Sequence, residues 1–434
     1  MTSTLRSGLE PRFPLRAVTI AQALDAMASF AVRRAVSERV AVADAEGRIT
    51  AEALQASEDV PPFARSRVDG YAVIASEVES ATAKQPVRLK LGGEVRMGEA
   101  VAPVLRAGET VRVPTGGALP SNAGGVVMLE DTSLQETIGE SDGVARTIVD
   151  VYDGAQCDRH ITPSASDLHA GQQLFDAGTV LSPAAVGLLA GANVSQVEVF
   201  RKPLVGVLVT GDELVVAGEP RAQGQVRDIN SVSLSAALRA MGFVPRRFAI
   251  IADDRAAFAA SLEEALASCD AVLISGGSSV GARDYTPDVV AAAGGPGVIV
   301  HGIRAKPGRP ALLAMIGEQP VIGLPGNPVS ALVVLEAVAK PVLLRMFGKH
   351  DAVLPYRARL ERRIEVEPEL EHRIAVRLVE SDGGLLARPL IGTSAQMHTL
   401  AFADAMIVIP QGCGGADAGA WVDAIPFSRS GTGR

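Results

Sequence analysis

The chain has 434 residues, a formal net charge of −8, 47% hydrophobic residues and 21% charged ones. That length exceeds one ordinary core and predicts three or four domains at roughly 100–200 residues each, with the composition of a globular rather than a disordered chain. The acidic balance argues against nucleic acid as a partner, which requires a basic face, but leaves room for an anionic ligand in a locally basic site.

Cys157, Cys269 and Cys413 follow no CxxC spacing, so neither a disulfide framework nor a structural zinc site is indicated. The opening MTSTLRSGLEPRFPLR has no apolar signal core. The longest apolar stretch, Val329–Ala339, is broken by Glu336 and is too short to span a bilayer. The expectation is a cytoplasmic protein with no membrane partner.

Taken in chain order, residues 1–57 carry a helical pattern at Ile20–Phe30. Residues 58–155 form a β-rich unit, with short runs at Val87–Leu91, Thr110–Val113, Gly125–Leu129 and Ala145–Val151 separated by Gly and Pro. A helical pattern returns within residues 156–200, at Pro183–Ala192. This predicts a β-rich arm inserted into a discontinuous helical linker domain.

Residues 201–348 alternate strand and helix. Leu204–Val209 is a buried-strand run ending at Thr210-Gly-Asp-Glu213, followed by a helix through Leu234, Ala237, Leu238 and Met241. Phe248–Ile251 is the next expected strand, then a helix carrying Phe258, Leu262 and Leu266 on one stripe. Ala271–Ile274 is a third strand, and a helix starts at Thr286-Pro287. Val298–Val300, Ala311–Met315 and Val321–Ile322 add strands, and Asn327-Pro328 is expected to cap a long apolar helix. The alternation predicts a three-layer α/β/α domain with a mostly parallel sheet. Residues 349–434 return to β runs, at Arg357–Val366, Arg373–Val379, Ala405–Ile409 and Trp421–Ile425, and predict a small C-terminal β domain.

In such a sheet, ligands bind outside the carboxyl ends of the strands, and the polar motifs fall there. Ser275-Gly-Gly-Ser-Ser-Val-Gly281 can present successive N–H groups to an anion, with a helix N-terminus beside it; a plain glycine turn is as good an account of that motif alone. It is neither a P-loop nor a GxGxxG fingerprint. Asp212, Glu213, Asp253 and Asp284 sit at strand ends, where carboxylates suit Mg²⁺ or a ribose hydroxyl. Taken singly, the plainer account is that Asp253 or Asp254 caps a helix; gathered on one sheet edge, the acids point to a ligand. Lys306-Pro-Gly-Arg-Pro310, with Arg304 just before it, gathers cations that would neutralise phosphate or an oxyanion. Pro325-Gly326 stiffens the loop ahead of Asn327.

TGDEL (210–214), SGGSSVGARDYT (275–286), KPGRP (306–310) and LPGNPVSA (324–331) in this order closely resemble the molybdopterin molybdenumtransferase family. GRITAEAL (47–54), PPFARSRVDGYAV (61–73), RVPTGGALP (112–120), VVMLED (126–131) and IGTSAQMHTLAFADAMIVIPQG (391–412) extend the resemblance over almost the whole chain. It implies a homodimer of four-domain subunits that joins molybdate to adenylylated molybdopterin and releases AMP with a divalent cation, usually Mg²⁺. Matching positions imply functional roles for Asp69, Thr115, Asp167, Glu213, Asp253, Asp284, Lys306, Pro325 and Pro328, with the arm of one subunit completing the site of the other. Gly276, Gly277, Ser278, Ser279, Gly281, Arg304, Arg309, Gly326 and Asn327 are expected to bind the ligand, and Glu213, Asp253 and Asp284 the metal.

Two cationic positions depart from the family's pattern. Gly302 stands where a second lysine is usual, and Thr162-Pro-Ser-Ala-Ser-Asp167 lacks an arginine and a glutamate. The GGSSVGARDYTP stretch also resembles molybdopterin adenylyltransferase, a possible separate partner enzyme. A molybdopterin carrier or scaffold is the alternative from outside the enzymes.

Overall fold

The structure, a computed structural model, describes residues 16–98, 104–138, 145–276, 285–349 and 353–427. It divides into two compact units, Met1–Glu38 with Phe200–Arg434, and Arg39–Val199.

The first unit is built on a six-stranded sheet of β1 (Leu204–Val209), β2 (Val244–Arg247), β3 (Ala271–Ser275), β4 (Pro296–His301), β5 (Leu312–Ile316) and β6 (Gln319–Leu324), in the spatial order 2-1-3-6-5-4. The pairs 2/1, 1/3 and 3/6 are parallel; 6/5 and 5/4 are antiparallel. Every residue of β3 and β6 is buried. Alternate side chains of a strand point to opposite faces, so both faces of the sheet must be covered. Helices Arg255–Ser268 and Thr286–Ala292 pack one apolar cluster through Phe258, Leu262, Val289 and Val290. Asn230–Ala240 packs on β1 and β2, the helix beginning at Pro328 packs on β6, and the two helices touch each other.

The expected strand Phe248–Ile251 is displaced. The ladder runs over Val244–Arg247, and Ile251 makes only an isolated bridge to Thr210. Pairing at this sheet edge follows register with β1, from Leu204↔Val244 onward, rather than the more apolar run downstream. Asn327 also departs from expectation. It occupies the N-cap position, but its side chain makes no capping bond and donates to Ser394 Oγ at 3.0 Å. The helix from Pro328 widens to π geometry over Leu335–Ala339 and continues as Lys340–Leu344. Pro341 has no N–H to give to the preceding turn, which accounts for the local widening.

In the same unit Tyr356–Leu360, Glu371–Ser381, Gly384–Pro389, Ala405–Ile409 and Trp421–Pro426 form a small barrel-like sheet. Glu371–Ser381 pairs with both Gly384–Pro389 and Ala405–Ile409, so the sheet closes on itself and its edges disappear. The run expected at Arg357–Val366 is split into Tyr356–Leu360 and Ile364–Glu365, and Gly384–Pro389 was not anticipated. Ala305–Lys306, from the loop before β5, joins this barrel in parallel with Glu371–His372.

The second unit holds a six-stranded sheet that includes Gly70–Val73, buried at every position and absent from the strands expected from the sequence. The expected helical linker is a mixed unit: Leu54–Gln55 pairs with Gln173–Phe175, and Pro183–Gly191 packs Ala185 and Leu189 on Val42, Leu54 and Val197. Helix Ile20–Ala28, expected to belong with it, lies in the first unit, where it contacts β4 and β5. Its buried stripe of Ile20, Ala23 and Met27 needs an apolar partner, and Arg345 donates to the carbonyls of Met27 and Phe30 at its C-terminal end.

Candidate functional site

From β1 the chain moves to β2 on one side, then returns to β3 on the other, so the topological switch point lies between β1 and β3. A cavity of about 700 Å³ opens there, outside the carboxyl ends of the strands. Glu213, Asp253, Gly276, Pro325, Gly326 and Pro328 line it, as expected from the sequence. Asp212 turns away to accept the N–H of Asp253 at 3.0 Å, and Asp254 caps the helix Arg255–Ser268 by accepting from Ala257. The capping role therefore falls to Asp254, leaving Asp253 available to the cavity.

A second cavity of about 910 Å³ lies between the barrel and the Ala305–Pro310 loop with the helix beginning at Pro328, and shares Pro310 and Asn327 with the first. Lys306 and Arg309 line this one. Lys306 is placed there by its strand pairing with the barrel, and its Nζ lies 3.1 Å from Glu367 Oε1. The barrel adds Arg362, Arg373 and Ser394, which sequence reasoning left unassigned. Ser394 lies inside the IGTSAQ motif, and that was the signal available. Arg373 is held by Glu371 at 2.8 Å. Glu213 and Asp253 on one side, and Lys306 and Arg309 on the other, thus occupy two adjoining cavities, with Asn327 in the wall common to both.

Arg304 lines neither cavity among the described residues; its Nε donates to Ala17 O at 3.0 Å. The backbone of the N-terminal segment engages it, with Val18 O accepting from its own N–H. Gly277, Ser278, Ser279, Gly281 and Asp284 lie outside the described residues. Glu213 and Asp253 are therefore the two described members of the expected metal set. No group of three His, Cys, Asp or Glu that could hold a metal occurs among the described residues.

Asp69, Thr115 and Asp167 belong to the second unit. Thr115 donates to Asp69 Oδ1 from both its backbone N, at 2.6 Å, and its hydroxyl, at 3.0 Å. These two bonds stabilise the ionised carboxylate and hold Asp69 below the ordinary aspartate range. Asp167 is exposed, and its N–H donates to Val60 O.

Residues 18–192 match the family described as MoeA N-terminal region (domain I and II), 206–345 the probable molybdopterin binding domain, and 357–427 the MoeA C-terminal region (domain IV). The chain is 33% identical over 70% of its length to the molybdopterin molybdenumtransferase of Nostoc sp., covering 68% of that protein. It is 30% identical over 86% of its length to molybdopterin molybdenumtransferase 2 of Mycobacterium tuberculosis, covering 90% of it. The chain belongs to the molybdopterin molybdenumtransferase family. A crystal structure of a molybdopterin biosynthesis MoeA protein from Pyrococcus horikoshii superposes with a TM-score of 0.81 at 32% identity, over 95% of this chain and 99% of that one. No helix among the described residues is long and apolar enough to cross a membrane.

The two departures from the family's pattern now have a structural setting. Gly302 is buried, has φ +98°, and is fixed by bonds to Ala311 O and from Val18 N. A lysine there would strain the backbone by about 1–3 kcal/mol. Gly302→Lys is therefore expected to lower the midpoint of chemical unfolding without raising activity; a rise in turnover with unchanged stability would contradict this. Thr162 pairs with Arg65 in a short strand and accepts from Arg67 Nε at 3.2 Å, so a neighbouring cation is present by another route.

Proposed function

We propose that this protein is a molybdopterin molybdenumtransferase, transferring molybdenum from molybdate to adenylylated molybdopterin with release of AMP. The observation that carries this reading is the pair of adjoining cavities, an acid-bearing one at the sheet's switch point and a cation-bearing one against the barrel, with Asn327 in both walls. Two anionic reactants repel each other in water, so catalysis here is chiefly positioning and charge compensation.

In this reading the first cavity holds the adenylylated molybdopterin, with the Pro325-Gly326 turn and the start of the glycine loop against its phosphates. Lys306 and Arg309 in the second offset the charge of molybdate. Ser394 and Asn327, joined by a hydrogen bond, fix the wall between them. The protein acts as a homodimer, and Asp69 with its Thr115 partner is brought to the site by the second copy, ionised and able to orient an attacking oxygen. A molybdopterin adenylyltransferase supplies the substrate.

The deciding assay offers purified protein either adenylylated molybdopterin with molybdate, or molybdopterin with ATP. Product is expected from the first pair alone; product from the second alone would assign the preceding adenylylation instead. Retained binding with no product from either would indicate a carrier. Glu213 and Asp253, with Asp284, are the acids proposed to hold Mg²⁺, whose charge would relieve repulsion between carboxylates and molybdate. Excess EDTA is accordingly expected to abolish turnover and added Mg²⁺ to restore it. Undiminished turnover in EDTA would remove the metal from the scheme.

A further inference from the structure

Two buried polar groups in the first cavity have no use in the account above. Asn230 begins the helix Asn230–Ala240 and is 6% exposed; Thr210 directly follows β1 and is 5% exposed. Both line the cavity. The Asn230 amide is oriented by its donor side: Nδ2 gives one bond to Gly326 O at 2.8 Å and one to Ser275 Oγ at 2.7 Å. Gly326 O is a carbonyl and can only accept, so the amide cannot be flipped. Among the described residues its Oδ1 is buried with no hydrogen-bond partner, and Thr210 Oγ1 is in the same condition.

A buried acceptor without a donor costs about 1–3 kcal/mol, and such atoms are few in native proteins. Here two occur in one cavity at the switch point. The Cβ that Gly276 lacks would lie 2.8 Å from Thr210 Oγ1, and a Cβ on Gly326 would lie 3.7 Å from Gly276 Cα. The neutral side chains Ser275 and Asn327, which also line this cavity, already have hydrogen-bond partners in Asn230 and Ser394. Asn230 Oδ1 and Thr210 Oγ1 are neutral, and the first can only accept.

We propose that Thr210 and Asn230 form a neutral recognition point that takes a hydroxyl or amine donor of the bound ligand, Oδ1 accepting the ligand's hydrogen and Oγ1 donating to or accepting from the same group. The inference rests on the proposed function for the identity of the ligand. Its role is selection. A ligand with the donor completes both groups, whereas an anion of equal charge without it leaves them unpaired, which is how a site built around a hydrogen bond rejects analogues. The chemistry fits a ribose hydroxyl of the nucleotide or an amine of the pterin.

Thr210→Val keeps the shape and removes only the hydroxyl, while the backbone bond from Thr210 N to Ser275 O stays. Thr210→Ser restores the hydroxyl. Titrating full-length wild type and both variants with AMP and, separately, with molybdopterin is expected to show about tenfold weaker binding of one ligand to the Val variant. The Ser variant should recover most of it, with unfolding midpoints confirming that all three are folded. Loss confined to AMP places the donor on the nucleotide; loss confined to molybdopterin places it on the pterin. Equal affinity of wild type and Thr210→Val for both ligands would overturn the inference while leaving the transferase reading intact. Failure of wild type to bind either would overturn that reading and the inference with it.

Discussion

Replacing Lys306 by Ala is expected to lower kcat/KM for molybdenum transfer about 100-fold, the order of effect seen when one preorganised charge-stabilising donor is lost. The side chain is more than half exposed, and its partner Glu367 is equally so. An exposed pair of this kind contributes about 0–1 kcal/mol to stability, so the variant should fold and bind nucleotide normally. Lys306→Arg keeps the charge but changes the geometry and should retain part of the activity. The backbone pairing of Ala305–Lys306 with Glu371–His372 is indifferent to the side chain, so a defect in the variant can be read as loss of the ammonium group. Steady-state rates at varied molybdate concentration measure it. A drop of less than threefold would exclude Lys306 from the proposed role.

Gly276→Ala is expected to destabilise the first unit by about 2–3 kcal/mol and to abolish nucleotide binding. Gly276 has φ +97°, and a methyl group would lie 2.5 Å from Thr210 O. That contact involves the backbone of the neighbouring parallel strand, which cannot swing aside as a flexible side chain would. Relief requires the ends of β1 and β3 to separate, and this would also disturb the Thr210 N to Ser275 O bond and the Asn230 bridge to Ser275 and Gly326. Urea unfolding and AMP titration together test this. Wild-type stability with wild-type affinity would show that the switch point tolerates separation and that its tightness is not functional.

Much of the architecture was legible because the signals were local. The strands β1 and β3 are short β-branched runs with turn residues at one end, and the helix Arg255–Ser268 announces itself by its Asp254 cap and the Phe258–Leu262 stripe. Elements failed to read where pairing rather than composition decides them. Gly70–Val73 is a strand because neighbours on both sides supply its hydrogen bonds. β2 lies upstream of the apolar run because β1 fixes its register.

The same division runs through the site. Glu213, Asp253 and the Pro325–Pro328 turn were assigned from their position at strand ends, and they line one cavity because parallel strands deliver their carboxyl ends to one edge. Sequence alone could not separate Lys306 and Arg309 from them. Those cations face a second cavity because Ala305–Lys306 is bound as a strand by Glu371–His372 of the barrel, 66 positions along the chain. Nor could it foresee that Arg304 would be engaged by Ala17, or that Asn230 would be oriented by the Gly326 carbonyl. The sequence by itself determined the family, the sheet and the kinds of charge the site contains. The tertiary structure decided which charges face the same space and which polar atoms are left without partners, since both depend on hydrogen bonds between segments far apart in the chain.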